Sequence, residues 1–374
     1  MQELIKGITN FSLGNLVMFV IAGVLIYLAI KKEYEPTLLL PIGFGTILAN
    51  IPFSAAIDPD HGVLTFLYNN TIRNDLFPVL IFIAVGAMID FGPLLQNPFM
   101  LFFGAAAQFG IFATMMVALL LGYDLGAAAS IGIIGAADGP TAIFVANKFI
   151  SPEKSGLIGA ITVAAYSYMS LVPIIQPPVI KLLTTKKERL IRMEYHQVNV
   201  PKSVKIVFPI VITIIAGLVA PDSVSLVGLL MFGNLIRECG VLDRLSQAAQ
   251  NELANLVTIL LGVIIGSTMS ADQFLKWETL GILGLGLVAF IFDTAGGVLF
   301  AKFLNLFLKN KVNPMIGAAG ISAFPMSARV VQKMATKEDP TNFIIMQSIS
   351  ANVSGQLGSV VAGGMLLALV PSFL

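Results

Sequence analysis

Asp138 is the residue of this chain with the clearest capacity for chemistry. It lies in segment 135–141 (GAADGPT), inside a stretch, 127–145, that is otherwise apolar. A carboxylate inside a membrane costs about 3 kcal/mol on insertion scales, and such residues usually bind an ion, move a proton or pair with a defined partner. The Gly-Pro that follows interrupts the helix and frees backbone carbonyls beside the carboxylate. With the Thr141 hydroxyl, these oxygens form a set suited to a small cation.

A second interpretation of Asp138 is structural, because an aspartate also caps the N-terminus of a helix. The two roles are compatible, since transporters bind ions at the ends of broken helices. Asp90, in segment 86–95 (GAMIDFGPLL), ends an apolar run and can be either a site or an interfacial helix end. Asp293, in segment 292–297 (FDTAGG), is a buried acid for which the sequence offers only a functional explanation.

Further polar residues occur in three apolar segments. Tyr166 and Tyr168 lie in the middle of a span, which favours hydrogen bonds to the bundle interior over the usual interfacial anchoring. Segment 320–329 (GISAFPMSAR) contains Ser322 and Arg329. Segment 348–359 contains Asn352 and Gln356, which lie one helical turn apart and predict a polar lining. Small residues there are also typical of a packing seam.

The elements that position these residues are membrane helices. Hydrophobic residues form 56% of the 374-residue chain and charged residues only 11%, and the mean hydropathy is +0.88. Soluble domains have about 25% charged residues. The net charge of +1 indicates no nucleic-acid partner, and one cysteine and two histidines exclude an internal disulfide and a multi-cysteine or histidine metal cluster. The sequence predicts an all-α polytopic membrane protein with about ten transmembrane helices. The predicted spans are 11–30, 37–51, 77–91, 99–121, 158–175, 206–220, 224–236, 253–267, 280–300 and 343–370.

Two more apolar stretches, 127–149 and 314–334, are interrupted by Gly, Pro and polar residues. Basic residues mark cytoplasmic loops, and the richest basic segment is 181–205. This segment falls on the cytoplasmic side only if 127–149 enters from outside and returns there. The same count of membrane crossings, applied to the second half of the chain, predicts that 314–334 is a re-entrant hairpin that enters from the inside. It also leaves the C-terminus outside. The alternative is that the short segment 37–51 fails to span.

Paired hairpins from opposite faces predict inverted-topology repeats with a binding site near the membrane midplane. The first repeat is 1–180 with hairpin 127–149, and the second is 206–374 with hairpin 314–334. The basic segment 181–205 is the cytoplasmic linker between them. The two hairpin tips are expected to converge.

The motifs resemble those of the β subunits of the biotin-dependent, sodium-translocating decarboxylases, which act on oxaloacetate, methylmalonyl-CoA, glutaconyl-CoA or malonate. The resemblance rests on four segments and extends over nearly the whole chain. These segments are 86–95 (GAMIDFGPLL), 135–145 (GAADGPTAIFV), 167–178 (SYMSLVPIIQPP) and 317–331 (GAAGISAFPMSARVV).

The resemblance implies that the chain decarboxylates carboxybiotin presented by a partner biotin carrier and exports Na⁺ with proton uptake. It also implies a carboxyltransferase subunit, a small membrane subunit, a homo-oligomeric complex and the bacterial inner membrane. The chain is short for an oxaloacetate member, which favours an acyl-CoA decarboxylase. The alternative is a stand-alone sodium-coupled secondary transporter or sodium/proton exchanger.

The resemblance implies that the family's essential aspartate is Asp138, that its functional tyrosine is Tyr168 and that its polar C-terminal helix is 352–359. Together with Thr141, Ser322 and Arg329, which the residues themselves suggest, these give eight expected site residues. Asp138, Tyr168 and Arg329 are the expected catalytic residues, with Tyr166 as the rival of Tyr168. Carboxybiotin is expected to contact Arg329, Ser322 and Asn352, although Arg329 can equally be a snorkelling membrane anchor. The expected Na⁺ ligands are Asp138, Thr141, Tyr168, Asn352, Ser354 and Ser359. The spacing does not rank Ser354 against Ser359.

The predicted side of segment 181–205 can be tested by labelling. A cysteine at Gln197, in a background with Cys239→Ser, is expected to react with a membrane-impermeant maleimide only from the cytoplasmic face, because that face retains basic loops. Reaction only from the outside would contradict both the orientation and the hairpin count.

Overall fold

The computed structural model describes residues 2–151, 154–194 and 199–373, so His196 and Gln197 lie outside the described residues. Within these ranges the regular structure is helical. A short helix, Gln2–Thr9, precedes the helices that build the fold, and further short helices connect them at Val63–Leu67, Gly92–Gln96, Lys186–Arg189, Asp243–Ala248 and Ala271–Phe274. The helices that build the fold are α1 (Leu13–Lys32), α2 (Pro36–Asn50), α3 (Leu76–Met88), α4 (Leu101–Ala107), α5 (Phe109–Leu120), α6 (Leu125–Gly132), α7 (Gly139–Phe149), α8 (Ser155–Leu183), α9 (Lys202–Val219), α10 (Val224–Glu238), α11 (Ala254–Ser267), α12 (Trp277–Phe307), α13 (Met315–Ala318), α14 (Met326–Glu338) and α15 (Ile345–Leu369).

The helices confirm an all-α membrane protein. Six stretches in the described ranges are long and apolar enough to cross a membrane, or eight if two bent pairs each form one span. The ten predicted spans coincide with these stretches and with α2 and α10, which have 15 residues each. A 15-residue helix is about 22 Å long, shorter than the ~30 Å hydrocarbon core. The number of crossings therefore stays a prediction.

Helix α8 bends by 66° between Met169 and Leu171. Pro173 lies four residues after Met169 and has no N–H to donate to the Met169 carbonyl, so the regular hydrogen bond is missing at the bend. The bend separates the half of α8 that contains Tyr166 and Tyr168 from the half that contains Gln176.

The helices form two bundles. The first bundle, which we call the panel, is a row of six helices in which each helix packs against the next. The order along the row is α1, α2, α11, α3, α10 and α9. In the second, which we call the core, α12 packs against α4, α5 and α8, and α15 packs against α4. The core also contains both interrupted segments, one formed by α6 and α7 and the other by α13 and α14.

The two halves of the chain repeat the same packing. Helix α6 contacts α5 as α13 contacts α12, and α7 contacts α8 as α14 contacts α15. Each interrupted segment also reaches the last helix of the other half, because α7 contacts α15 and α14 contacts α8. We therefore propose that residues 1–180 and 206–374 are structural repeats joined by 181–205.

Helices α3 and α10 of the panel come together at a reciprocal pair of glycines. A Cβ on Gly86 would lie 1.9 Å from the Leu230 carbonyl oxygen, and one on Gly233 would lie 2.1 Å from the Ile83 carbonyl oxygen. Any larger residue at either position must push the two backbones apart. The close contact between these helices therefore depends on both glycines.

Gly233→Ala is expected to lower the unfolding free energy by about 1–3 kcal/mol, the usual effect of overpacking a tight contact. Gly23→Ala is the matched control, because a Cβ at Gly23 of α1 meets nothing within 4 Å. Thermal unfolding in detergent measures both. Equal melting temperatures for the two variants would contradict the close contact.

Candidate cation-binding site

The tips of the two interrupted segments are in direct contact. The Ala136 carbonyl accepts a hydrogen bond from the Ser322 backbone N–H at 3.1 Å and another from the Ser322 hydroxyl at 2.7 Å. A 3₁₀ turn, Ile133–Ala136, and a left-handed residue, Ala137 (φ 53°), join α6 to α7 at this contact. The expected convergence of the tips is confirmed. The membrane face from which each segment enters stays a prediction.

Asp138 lies at the N-terminus of α7, where its carboxylate accepts three hydrogen bonds. The Thr141 backbone N–H donates to Oδ1 at 3.2 Å, and the Thr141 hydroxyl donates to Oδ2 at 2.8 Å. The Ser359 hydroxyl of α15 donates to Oδ2 at 2.6 Å. Asp138 is only 5% exposed. The carboxylate therefore caps the helix, and it also gathers two hydroxyl oxygens that can turn their lone pairs towards a cation.

Asp138 borders a cavity of about 210 Å³ between the panel and the core. From the core, the cavity is lined by the hairpin tips, α8 and α15, and from the panel by α2, α3 and α11. Its polar lining residues are Glu35, Thr37, Asp138, Tyr166, Thr258, Ser322 and Gln356. The site therefore has oxygen atoms on both bundles.

Tyr166 packs its ring directly on Gly139. A Cβ at Gly139 would lie 2.1 Å from Cζ of the ring, so no larger residue fits after Asp138. Tyr166 is 2% exposed, and its hydroxyl has no hydrogen-bond partner among the described residues. An unpaired buried hydroxyl costs about 1–3 kcal/mol. Such a group in a cavity wall is typical of a site where a ligand or ion supplies the missing partner.

One face of α15 holds the second hairpin tip. The Asn352 amide donates to the Ile321 carbonyl at 2.6 Å, and the Gln356 amide donates to the Ser322 carbonyl. Ser359, on the same face, reaches Asp138 of the first tip. In the described part of the chain the Asn352 Oδ1 atom lacks a hydrogen-bond donor. The α15 face therefore joins both tips and presents a further oxygen.

The structure places three of the predicted site residues outside this cluster. The Tyr168 hydroxyl donates to the Leu283 carbonyl of α12, whereas Tyr166, two residues earlier, faces Asp138. The Ser354 hydroxyl donates to the Leu101 carbonyl at 2.9 Å, on the side of α15 that faces α4. Arg329 is exposed on α14. The functional roles of Tyr168, Ser354 and Arg329 stay predictions.

Asp293 has a structural role that the sequence did not indicate. It is fully buried on α12, and its Oδ1 atom accepts the Ile111 backbone N–H at 3.1 Å in the first turn of α5. A Cβ on Gly135 would lie 2.6 Å from the other carboxylate oxygen, so the hairpin passes close beside it. Asp293 therefore joins α12 to the start of α5, whereas its Oδ2 atom lies beside Gly135 without a hydrogen-bond partner among the described residues.

Sequence reasoning did not select Glu35 as a site residue and ranked Tyr166 second. Glu35 follows Lys31 and Lys32, so it resembled a solvated loop acid, and only the packing of α2 brings it to the cavity. The choice between Tyr166 and Tyr168 depends on the rotation of α8, which spacing alone does not determine.

An all-α membrane protein with a buried carboxylate between two broken helices is the class that the fold and the site define. The chain belongs to the family of Na⁺-transporting oxaloacetate decarboxylase beta subunits, which it matches over residues 14–370. It is 52% identical over 365 residues to the methylmalonyl-CoA decarboxylase subunit beta of Veillonella parvula, covering 98% of this chain and 95% of the relative.

Two further relatives show the range of the family. The glutaconyl-CoA decarboxylase subunit beta of Acidaminococcus fermentans is 51% identical over 365 residues, covering 98% of this chain and 96% of that protein. The oxaloacetate decarboxylase beta chain of Klebsiella pneumoniae is 45% identical over 421 residues, covering 96% of each chain. The family is thus confirmed as the resemblance implied. It consists of membrane components of biotin-dependent, Na⁺-transporting decarboxylase complexes.

Ser359→Ala is expected to raise the Na⁺ concentration for half-maximal decarboxylation about 10-fold, because it removes a hydroxyl oxygen beside Asp138 that would coordinate the ion, and a polar contact to a charged group is worth about 1.5–3 kcal/mol. Ser354→Ala is the matched control on the same helix, and we expect less than a 3-fold change. Na⁺ titration of the assembled complex measures both. A larger effect for Ser354→Ala would place the Na⁺ ligands elsewhere on α15.

Proposed function

We propose that this chain removes CO₂ from carboxybiotin on a partner carrier and couples the reaction to Na⁺ export, with a proton moving in the opposite direction. The central observation is Asp138, a buried carboxylate that accepts hydrogen bonds from two hydroxyls beside a cavity between two bundles. A Na⁺ ion at this carboxylate would use oxygens of Asp138, Thr141 and Ser359. The unpaired oxygens of Asn352 and Tyr166 are further candidates.

The chemistry requires a proton as well as a cation site. When the C–N bond of N-carboxybiotin breaks, CO₂ leaves, the electron pair stays on the biotin nitrogen, and that nitrogen takes a proton. Na⁺ and H⁺ compete for a single buried carboxylate, because either one neutralises its charge. Occupation of Asp138 by one cation therefore favours departure of the other, and this competition couples decarboxylation to Na⁺ movement.

Helix α14 supplies a basic surface for the anionic substrate. Arg329, Lys333 and Lys337 recur every four residues on its exposed face. Lys333 and Lys337 join Lys181 around a groove of about 300 Å³ with an apolar wall of Pro173, Pro177, Val330 and Met334. Glu338 also lines this groove, but it is engaged by Arg189 at 2.8 Å. A positively charged groove with an apolar wall suits carboxybiotin, whose thioether ring and alkyl chain are apolar and whose carboxylate is anionic.

Ion pairs support the proposed sidedness of the basic loops. Arg189 and Arg192, in segment 181–205, pair with Glu338 at 2.8 Å and Asp339 at 2.7 Å, at the end of α14. Hydrogen bonds from Thr341 and Arg192 lower the pKa of Asp339 to about 2, so its pair stays charged at physiological pH. These pairs put two of the basic segments on one face of the protein. We propose that this face is cytoplasmic and meets the biotin carrier and carboxyltransferase, with the C-terminus outside.

The comparisons favour an acyl-CoA decarboxylase complex in a bacterial inner membrane. The two acyl-CoA relatives described above are 52% and 51% identical to the chain and align over 365 residues, whereas the oxaloacetate relative is 45% identical. A small membrane subunit and a homo-oligomeric arrangement within the complex are part of the same proposal. The second candidate function is a stand-alone sodium-coupled transporter or exchanger. The two-bundle architecture supports this candidate, but membership of the decarboxylase family does not.

Asp138→Asn is expected to abolish Na⁺-stimulated decarboxylation while the complex still assembles, because an amide keeps the shape but neither binds Na⁺ strongly nor exchanges a proton. Asp124→Asn is the matched control. Asp124 also caps a helix of the first hairpin, but its side chain is 55% exposed and lies outside the cavity. Rates of CO₂ release against Na⁺ concentration distinguish the two. Normal Na⁺ activation in Asp138→Asn would remove the carboxylate from the mechanism.

Arg329→Lys is expected to raise the KM for carboxybiotin about 10-fold with little change in Na⁺ affinity, because lysine loses the planar, bidentate contact to a carboxylate. Arg244→Lys is the control at another exposed arginine. Steady-state assays with free carboxybiotin at saturating Na⁺ measure the effect. A KM equal to that of the wild type would identify Arg329 as a membrane anchor.

A further inference from the structure

Glu35 lies in the same cavity as Asp138 but on the opposite bundle. Asp138 belongs to the first hairpin of the core, whereas Glu35 immediately precedes α2 of the panel. Tyr166 contributes its unpaired, buried hydroxyl to the same cavity. One continuous space of about 210 Å³ therefore contains two carboxylates and a phenol that lacks a partner.

The side chain of Glu35 performs no visible structural task. It is half-buried, yet it makes no capping hydrogen bond to α2. Within the described residues its carboxylate takes part in no hydrogen bond or ion pair. A carboxylate that lines a cavity without a hydrogen-bond or ion-pair partner leaves its oxygens free to bind a cation there.

The backbone at Glu35 is also unfavourable. Its φ of 37° is left-handed, a conformation that side chains disfavour, and the following Pro36 restricts it further towards extended conformations. Strained positions of this kind cluster at binding and catalytic sites. Glu33, two residues earlier, is left-handed as well, but its side chain is exposed and is not among those that line the cavity.

We propose that Glu35 is a second Na⁺-binding residue, which attracts the ion into the cavity from the panel side and passes it to Asp138. This inference rests on the proposed Na⁺ transport. It adds that the ion reaches Asp138 from the side of the cavity that the panel lines. The two acids belong to different bundles. An ion can therefore interact with both only when the panel and the core are arranged so that Glu35 and Asp138 line the same cavity. Glu35 thus raises the local Na⁺ concentration at Asp138 without being the final ligand.

The test is Na⁺ activation in the complete complex with its carboxylated biotin carrier. In Glu35→Gln, the Na⁺ concentration for half-maximal CO₂ release is expected to rise about 10-fold, because the wall of the cavity that also contains Asp138 loses one unit of negative charge. High Na⁺ should recover most of the rate. Glu35→Asp, which keeps the charge, is expected to stay within about 3-fold of the wild type.

Glu33→Gln is the matched control, since it removes the same charge from a left-handed residue outside the cavity, and it is expected to behave as the wild type. Equal half-maximal Na⁺ concentrations for Glu35→Gln, Glu33→Gln and the wild type would overturn the role of Glu35 alone. A Glu35→Asp variant as impaired as Glu35→Gln would also overturn it, because shape rather than charge would then matter. Absence of Na⁺ activation in the wild-type complex would overturn the proposed function as well.

Discussion

The structure is organised around one carboxylate, that of Asp138, which is buried away from water. Asp138 accepts hydrogen bonds from Thr141 of its own helix and from Ser359 of α15, a helix of the second half of the chain. A buried charge is tolerated only when it is paired or hydrogen-bonded. The position of Asp138 therefore requires both broken segments, the polar face of α15 and the glycine that lets Tyr166 pack beside the carboxylate.

The arrangement of the bundles follows from this requirement. The core contains both interrupted segments, and each of them packs against the last long helix of the other half of the chain. The hydrogen bond from Ser322 to Ala136 joins their tips. The panel is fixed by close helix contacts, such as those of Gly86 with Leu230 and of Gly233 with Ile83. The cavity lies between these two bundles, and a change in their relative position would alter the access of an ion to Asp138.

The sequence predicted the elements better than their rotation. Composition and apolar run length identified the helices, and the Gly, Pro and polar residues in 127–149 and 314–334 correctly indicated interrupted segments. Asp138, Thr141, Ser322, Asn352 and Ser359 could be selected as site residues from the sequence, because helix breaks and helical spacing are local properties of the chain. The neighbourhoods of Tyr168, Ser354 and Glu35 depend on how whole helices turn and pack, which is a long-range property. Asp293 illustrates the same limit, because its backbone partner at Ile111 is 182 residues away.

We propose that Na⁺ movement and decarboxylation are one event at Asp138. A simultaneous measurement of ²²Na⁺ uptake and CO₂ release by the purified complex in proteoliposomes, with and without carboxylated biotin carrier, tests this coupling. We predict that both signals require the carboxylated carrier and that they change in constant proportion as the Na⁺ concentration varies. Rapid ²²Na⁺ uptake without the carrier, driven only by a proton or sodium gradient, would contradict this account and identify the chain as a free-standing exchanger.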